Sequence, residues 1–235
     1  MASIKLSDVS LKFPLSYDAR SLRADLLTGF KTQNKNFSFI SALQDINLEV
    51  KDGEKIGIVG SNGSGKSSLL RIISKIFKPT EGIVKTEGKL LTMLDLNTGL
   101  QMESSGLENI YLISYLRGYK KKDINQFIKK VIEYSELGEA IYKPVRTYSS
   151  GMITRLSASM VLCFPSEILV LDEFISAGDN DFHKKFEKHM LEKIEEANIL
   201  LFASHDHNMV DNICTKKVYM NHGKIVRIVN LKETF

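Results

Sequence analysis

The stretch GSNGSGKSS, residues 60–68, constrains the fold more than any other part of the chain. It fits the spacing G-x-x-x-x-G-K-[ST], running from Gly60 through Gly65 to Lys66 and Ser67. Before it, Ile56-Gly57-Ile58-Val59 reads as a buried strand; after it, Leu69, Leu70, Ile72, Ile73 and Ile76 recur at helical spacing. A strand feeding a glycine loop that opens a helix predicts an α/β fold. Glycines let successive backbone N–H groups curl round an anion, and the helix N-terminus adds donors and a favourable dipole. Gly60, Ser61, Asn62, Gly63, Ser64, Gly65, Lys66, Ser67 and Ser68 are therefore expected to cradle the phosphates of a nucleoside triphosphate. Lys66 would reach the β and γ phosphates, and the Ser67 hydroxyl would ligate Mg²⁺.

Two further apolar runs end in residues suited to phosphate chemistry. In ILVLDEF, residues 168–174, a buried strand delivers Asp172 and Glu173 at its C-terminal end, the edge where parallel sheets bind ligands. Asp172 is expected to hold Mg²⁺ through its water shell, and Glu173 to act as general base for an attacking water. In LLFASHDHNMV, His205 stands just past another strand, where it can sense or bridge a γ phosphate; His207 follows two residues later.

Elsewhere the pattern is strand, helix, strand. Residues 4–11 and 42–50 read as an antiparallel β pair, and the basic segment near 17–37 between them reads as a surface helix and loop or a solvated insertion. Residues 106–165 read as mainly helical, with Ile124, Phe127, Ile128, Val131 and Ile132 on one face and solvated lysines opposite. Strands return at 167–172, 198–203 and 217–229. No apolar run approaches the roughly 20 residues of a membrane-spanning helix, and the N-terminus has no signal-peptide core. The two cysteines, Cys163 and Cys214, lack metal spacing and read as buried thiols in a reducing compartment. A net charge of +4 permits contact with anionic headgroups but is equally met by a solvated basic surface.

Taken together, GSNGSGKSS, YSSGM (148–152), ILVLDEF, SAGD (176–179) and FASHD resemble, in that order and over essentially the whole chain, the ATPase of an ATP-binding cassette (ABC) transporter. The resemblance implies a P-loop cassette with an antiparallel β subdomain and a helical subdomain at about 100–165, one nucleotide-binding domain over 1–235. It also implies a homodimer that forms on ATP binding, each γ phosphate meeting the signature Ser149, Ser150 and Gly151 of the other copy. Phe13 matches the aromatic that stacks on adenine, with a strand-core role as the alternative, and Asp179 falls in the D-loop.

Departures from the general family pattern narrow the expectation. The signature reads Tyr-Ser-Ser-Gly-Met, the D-loop has Gly178, the Q-loop position carries Asp95 in MLDLNTG, and a helix starts GLENIYL. These variants are similar to the ATPases that export lipid-linked O-antigen, teichoic acid and capsule chains. That subfamily implies an integral-membrane permease as partner, docked in a groove beside Asp95 and the Tyr111–Tyr119 helix. It implies a peripheral position on the cytoplasmic face of the inner membrane and no nucleic-acid partner. The chain reaches only Phe235, so no appended carbohydrate-binding domain is expected. A soluble ABC ATPase is the alternative, though coiled-coil insertions and a second cassette are not seen; another is an ABC ATPase for different cargo.

Overall fold

The computed structural model describes residues 1–14, 39–94, 99–173 and 180–231. The segment 17–37, Asp95 and the SAGD stretch with Asp179 lie outside the described residues.

Two sheets organise the described chain. β1 (Ser3–Pro14) pairs antiparallel with β2 (Phe39–Lys51), Ile4 facing Val50 and Leu6 facing Leu48, as the alternation at 4–11 and 42–50 predicts. A third strand not evident in the sequence, β4 (Glu81–Glu87), completes the sheet in the order β2-β1-β4. Its side chains are mostly exposed, so no alternating apolar pattern marks it. The second sheet has six strands among the described residues. Its parallel part comprises β5 (Leu90–Met93), β6 (Ile168–Asp172), β7 (Ile199–Ala203), β3 (Lys55–Val59) and β8 (Lys216–Asn221). β9 (Lys224–Asn230) folds back antiparallel on β8, so the predicted run 217–229 is a hairpin.

Why the central strands read as unbroken apolar runs is clear from where their side chains go. Along β6, Ile168 and Val170 pack between the two sheets, whereas Leu169 and Leu171 pack under the helices. In β7, Ile199 and Leu201 share the first core while Leu200 and Phe202 share the second. A parallel strand with both faces covered needs no polar alternation. Leu200 is fully buried, so Leu200→Ala is expected to destabilise the fold by about 2–5 kcal/mol, read as a lower urea midpoint with little change in slope.

Six helices are seen among the described residues. α1 (Lys66–Ile73) follows the glycine loop and buries Leu69, Leu70, Ile72 and Ile73. Ile76, expected on the same face, lies past its end and is exposed, because Lys75 turns left-handed with φ 60° and stops the helix. α2 (Gly106–Leu116), α3 (Lys121–Ser135) and α4 (Ser150–Cys163) form the predicted helical stretch. Ile124, Phe127, Ile128 and Val131 are buried on α3, and Ile132 is partly so. Phe127 stacks on Phe164 at 4.0 Å, and Tyr119 tilts against Phe164 at 5.2 Å. α5 (Asn180–Glu196) sends Lys193 Nζ to the Leu162 and Phe164 carbonyls at 3.1 and 2.5 Å, closing the C-terminal end of α4. α6 (His207–Ile213) follows β7. Cys214 is buried as expected, while Cys163 is only partly so; burial still pushes its thiol up to about 11.

Candidate active site

The loop from Gly60 to Gly65 owes its path to close backbone approaches. A Cβ on Gly60 would lie 2.4 Å from the Met220 carbonyl oxygen. Gly65 has φ 105°, and a Cβ there would meet the Ala42 carbonyl oxygen at 2.9 Å. Only glycine satisfies both contacts without moving β2 or β8. The first helical hydrogen bond of α1 runs from Leu69 N–H to the Gly65 carbonyl at 2.9 Å. The N–H groups of Lys66, Ser67 and Ser68 thus precede the helical ladder and stand at the positive end of its dipole. Lys66 Nζ curls back to donate to the Gly60 and Ser61 carbonyls at 2.8 and 3.1 Å.

This loop floors a cleft of about 410 Å³ that Asn62 to Ser68 share with Ile40, Ser41 and Ala42 of β2 and with Asp172 and Glu173. The β2 residues were not legible as site residues, since their only mark in the sequence is membership of a strand. Ser64 Oγ is buried against the loop and has no hydrogen-bond partner among the described residues. Unpaired helix donors and an ammonium group in one cleft match the needs of a polyphosphate.

Opposite the loop, β6 ends at Asp172, partly buried and level with Ala203 of β7. Glu173 then leaves the strand with φ 68°, its N–H donating to the Ala203 carbonyl at 2.8 Å. A left-handed backbone is costly for a residue with a Cβ, and such positions gather at functional sites. This kink sends the carboxylate to the cleft mouth, where Glu173 Oε1 lies 3.0 Å from His205 Nδ1. Both side chains are largely exposed. The remainder of the Ser-His-Asp stretch is structural. Ser204 Oγ accepts from Asp206 N–H at 3.0 Å, and Asp206 Oδ1 caps α6 by accepting from Asn208 and Met209 N–H at 2.9 and 3.2 Å.

Ser149, Ser150 and Gly151 start α4, with Ser149 Oγ accepting from Met152 N–H at 3.3 Å. Ser149 and Ser150 are exposed, and none of the three lines the cleft of its own chain. Tyr148 just before them is buried, donates to the Ala140 carbonyl at 2.6 Å, and packs where a Cβ on Gly106 would sit, 2.5 Å away. GLENIYL therefore has a structural reason. Gly106 admits Tyr148, and Ser105 and Glu108 form a capping box. Donation from Ser105, backbone first, holds the Glu108 carboxyl below its ordinary range. Asn109 ties the entering loop through the Gln101, Ser104 and Ser105 carbonyls.

Phe13 is 38% exposed near the end of β1, edge-on to Phe77 at 5.5 Å, and registers with Ile40 of the cleft wall. A second cavity, also about 410 Å³, lies between the end of β5, the C-terminal part of α2 and the C-terminal half of α4. Its walls include Met93, Leu94, Leu116, Met160 and Phe164, flanking the stretch that contains Asp95. Tyr111 and Tyr119 do not line it, and the helix expected to reach Tyr119 stops at Leu116. Tyr119 is drawn instead into the aromatic cluster with Phe127 and Phe164.

Residues 43–176 match the family model described as ABC transporter. The chain is 36% identical to the O-antigen export system ATP-binding protein RfbB of Klebsiella pneumoniae, over 97% of this chain and 96% of that protein. It is 34% identical to the teichoic acids export ATP-binding protein TagH of Bacillus anthracis, over 98% of this chain but 41% of the longer relative. Among solved structures, it is similar to an ATP-binding cassette captured as a dimer in a post-hydrolysis state with ADP and Pi. That likeness has a TM-score of 0.71 at 21% identity, covering 98% of this chain and 100% of that one.

Proposed function

The chain belongs to the ABC transporter family, and from that premise we propose that it is the ATP-hydrolysing subunit of an exporter for lipid-linked polysaccharide of the O-antigen or teichoic acid type. One observation carries the catalytic part: the Glu173–His205 pair, 3.0 Å apart, stands at the mouth of the cleft floored by the glycine loop. The end-to-end match with an O-antigen export ATP-binding protein supports the cargo class.

In this reading Gly60 to Ser68 bind the phosphates, and Lys66 turns from the loop carbonyls toward the β and γ phosphates. Phe13 offers its exposed face to the adenine. Ser67 and Asp172 line the same cleft and present a hydroxyl and a carboxylate, the hard oxygen donors suited to Mg²⁺. When bound there, the ion would neutralise charge on the phosphate oxygens. Glu173 accepts the proton of the attacking water. With Nδ1–H donating to Glu173, the imidazole of His205 leaves Nε2 for the γ phosphate, to whose oxygen it donates when the ring carries both protons. Asp95 in the Q-loop position and Asp179 in the D-loop complete the set by resemblance.

The exposed start of α4 fits a phosphate held by a second copy, since it does not border its own cleft. Ser149→Arg would place a bulky side chain at that contact. In a Glu173→Gln background, ATP-dependent dimerisation is expected to disappear on size-exclusion chromatography while each monomer still binds nucleotide. A dimer peak that survives Ser149→Arg contradicts sharing of the site between copies.

The apolar cavity beside the Asp95 stretch suits a short helix of an integral-membrane permease. No helix among the described residues is long and apolar enough to cross a membrane. The proposed place is peripheral, on the cytoplasmic face of the inner membrane, with all of 1–235 serving as one nucleotide-binding domain. Co-purification with the permease, followed by mass spectrometry of the retained lipid, tests the assembly and its cargo together.

A further inference from the structure

α2 has two apolar faces, and only one is covered. Leu107, Tyr111 and Ile113 pack on the core. Leu112, Tyr115 and Leu116, spaced i, i+3 and i+4 and hence on one face, are 37%, 52% and 76% exposed. The helix ends there, and the turn and first residues of α3 carry Arg117, Lys120, Lys121 and Lys122, with Asp123 as the one acid beside them. The three lysines are exposed and form no ion pair among the described residues. Arg117 lies over the Phe164 ring at 4.6 Å, so its charge is fixed at the same corner.

We propose that this tip of the α2–α3 hairpin rests on a bilayer, its lysines among anionic lipid headgroups and Leu112, Tyr115 and Leu116 at the boundary with the acyl chains. An apolar ridge bordered by cations is the pattern of an interfacial contact, and tyrosine favours that depth. The shape argues against an acidic peptide. Leu116 is 76% exposed even though its edge borders the cavity beside β5, and lysines are flexible point charges suited to a fluid array of phosphates rather than to one fixed geometry. Leu116 and Arg117 also border the apolar cavity beside β5. If the exporter reading holds, a permease helix in that cavity and lipid at the tip are engaged side by side.

The test is co-sedimentation of the intact chain with vesicles of phosphatidylcholine alone and of phosphatidylcholine mixed with phosphatidylglycerol. Binding is expected only to the anionic vesicles and is expected to weaken with salt. Changing Lys120, Lys121 and Lys122 together to Gln should lower affinity on the order of 100-fold, since each lysine near such a surface is worth roughly fivefold. Changing Lys143, Lys184 and Lys188 to Gln alters net charge equally and should leave affinity within about threefold, because Lys143 follows the far end of α3 in sequence, and Lys184 and Lys188 adjoin Lys185 and His189, which bond Glu136 and Tyr134 at that far end. Equal losses in the two triple variants would overturn the proposal in favour of undirected attraction, as would equal binding to neutral vesicles. ATP hydrolysis is measured on the same preparations. Retained hydrolysis without vesicle binding removes the lipid contact alone and leaves the exporter reading standing, whereas loss of polysaccharide export function is read separately in cells.

Discussion

Glu173→Gln is expected to lower ATP hydrolysis by about 10²-fold or more while nucleotide binding persists. The substitution keeps the shape and removes the group that accepts a proton. Glu173 is largely exposed and touches His205 alone among side chains with a described hydrogen bond, so the fold should not register the change. An amide oxygen can still face His205 Nδ1, which preserves the imidazole's orientation and isolates the loss of basicity. Binding without turnover should accumulate the closed dimer in ATP, visible as a shift to earlier elution. Turnover at the wild-type rate would remove Glu173 from the role of base.

Lys66→Ala should fail at an earlier step. Lys66 Nζ is the one side-chain ammonium at the loop, held by two of its carbonyls at 2.8 and 3.1 Å, poised over the space the phosphates would take. Removing it deletes a charged donor in a preorganised site, which is expected to cost about 10²–10³-fold in turnover. Unlike Glu173→Gln, it should also weaken nucleotide binding and prevent the closed dimer. A Lys66→Ala protein that dimerises normally in ATP would contradict the phosphate role.

The candidate site is more legible in the sequence than the scaffold around it. Gly60, Gly65, Lys66, Asp172, Glu173 and His205 announce themselves because a backbone cradle and a carboxylate at a strand end need particular residues at particular spacings. The central strands were legible for a different reason: both faces of β6 and β7 are buried, so their sequences are continuous apolar runs. β4 leaves no alternating apolar mark in the sequence because most of its side chains are exposed. Ile76 misled because helical periodicity says nothing of where a left-handed Lys75 ends the helix. The reach of α2 to Tyr119 was overestimated similarly, since an aromatic at helical spacing can equally serve a loop that folds into an aromatic cluster. Ile40, Ser41 and Ala42 enter the site only through sheet pairing and register, which bring β2 over the loop; no local pattern encodes that. GLENIYL was visible as a subfamily mark, but its physical basis, the packing of Tyr148 against Gly106 behind the signature, emerges only in three dimensions.

In the proposed role, hydrolysis at this cleft drives polysaccharide across a membrane. Its most direct test is the location of lipid-linked polymer in cells whose copy of this chain carries Lys66→Ala, followed by fractionation and surface labelling. Synthesis should continue while export stops, so polymer on its lipid carrier is expected to accumulate on the cytoplasmic side, with the surface correspondingly depleted. A normal amount of surface polysaccharide in the Lys66→Ala cells would contradict the claim.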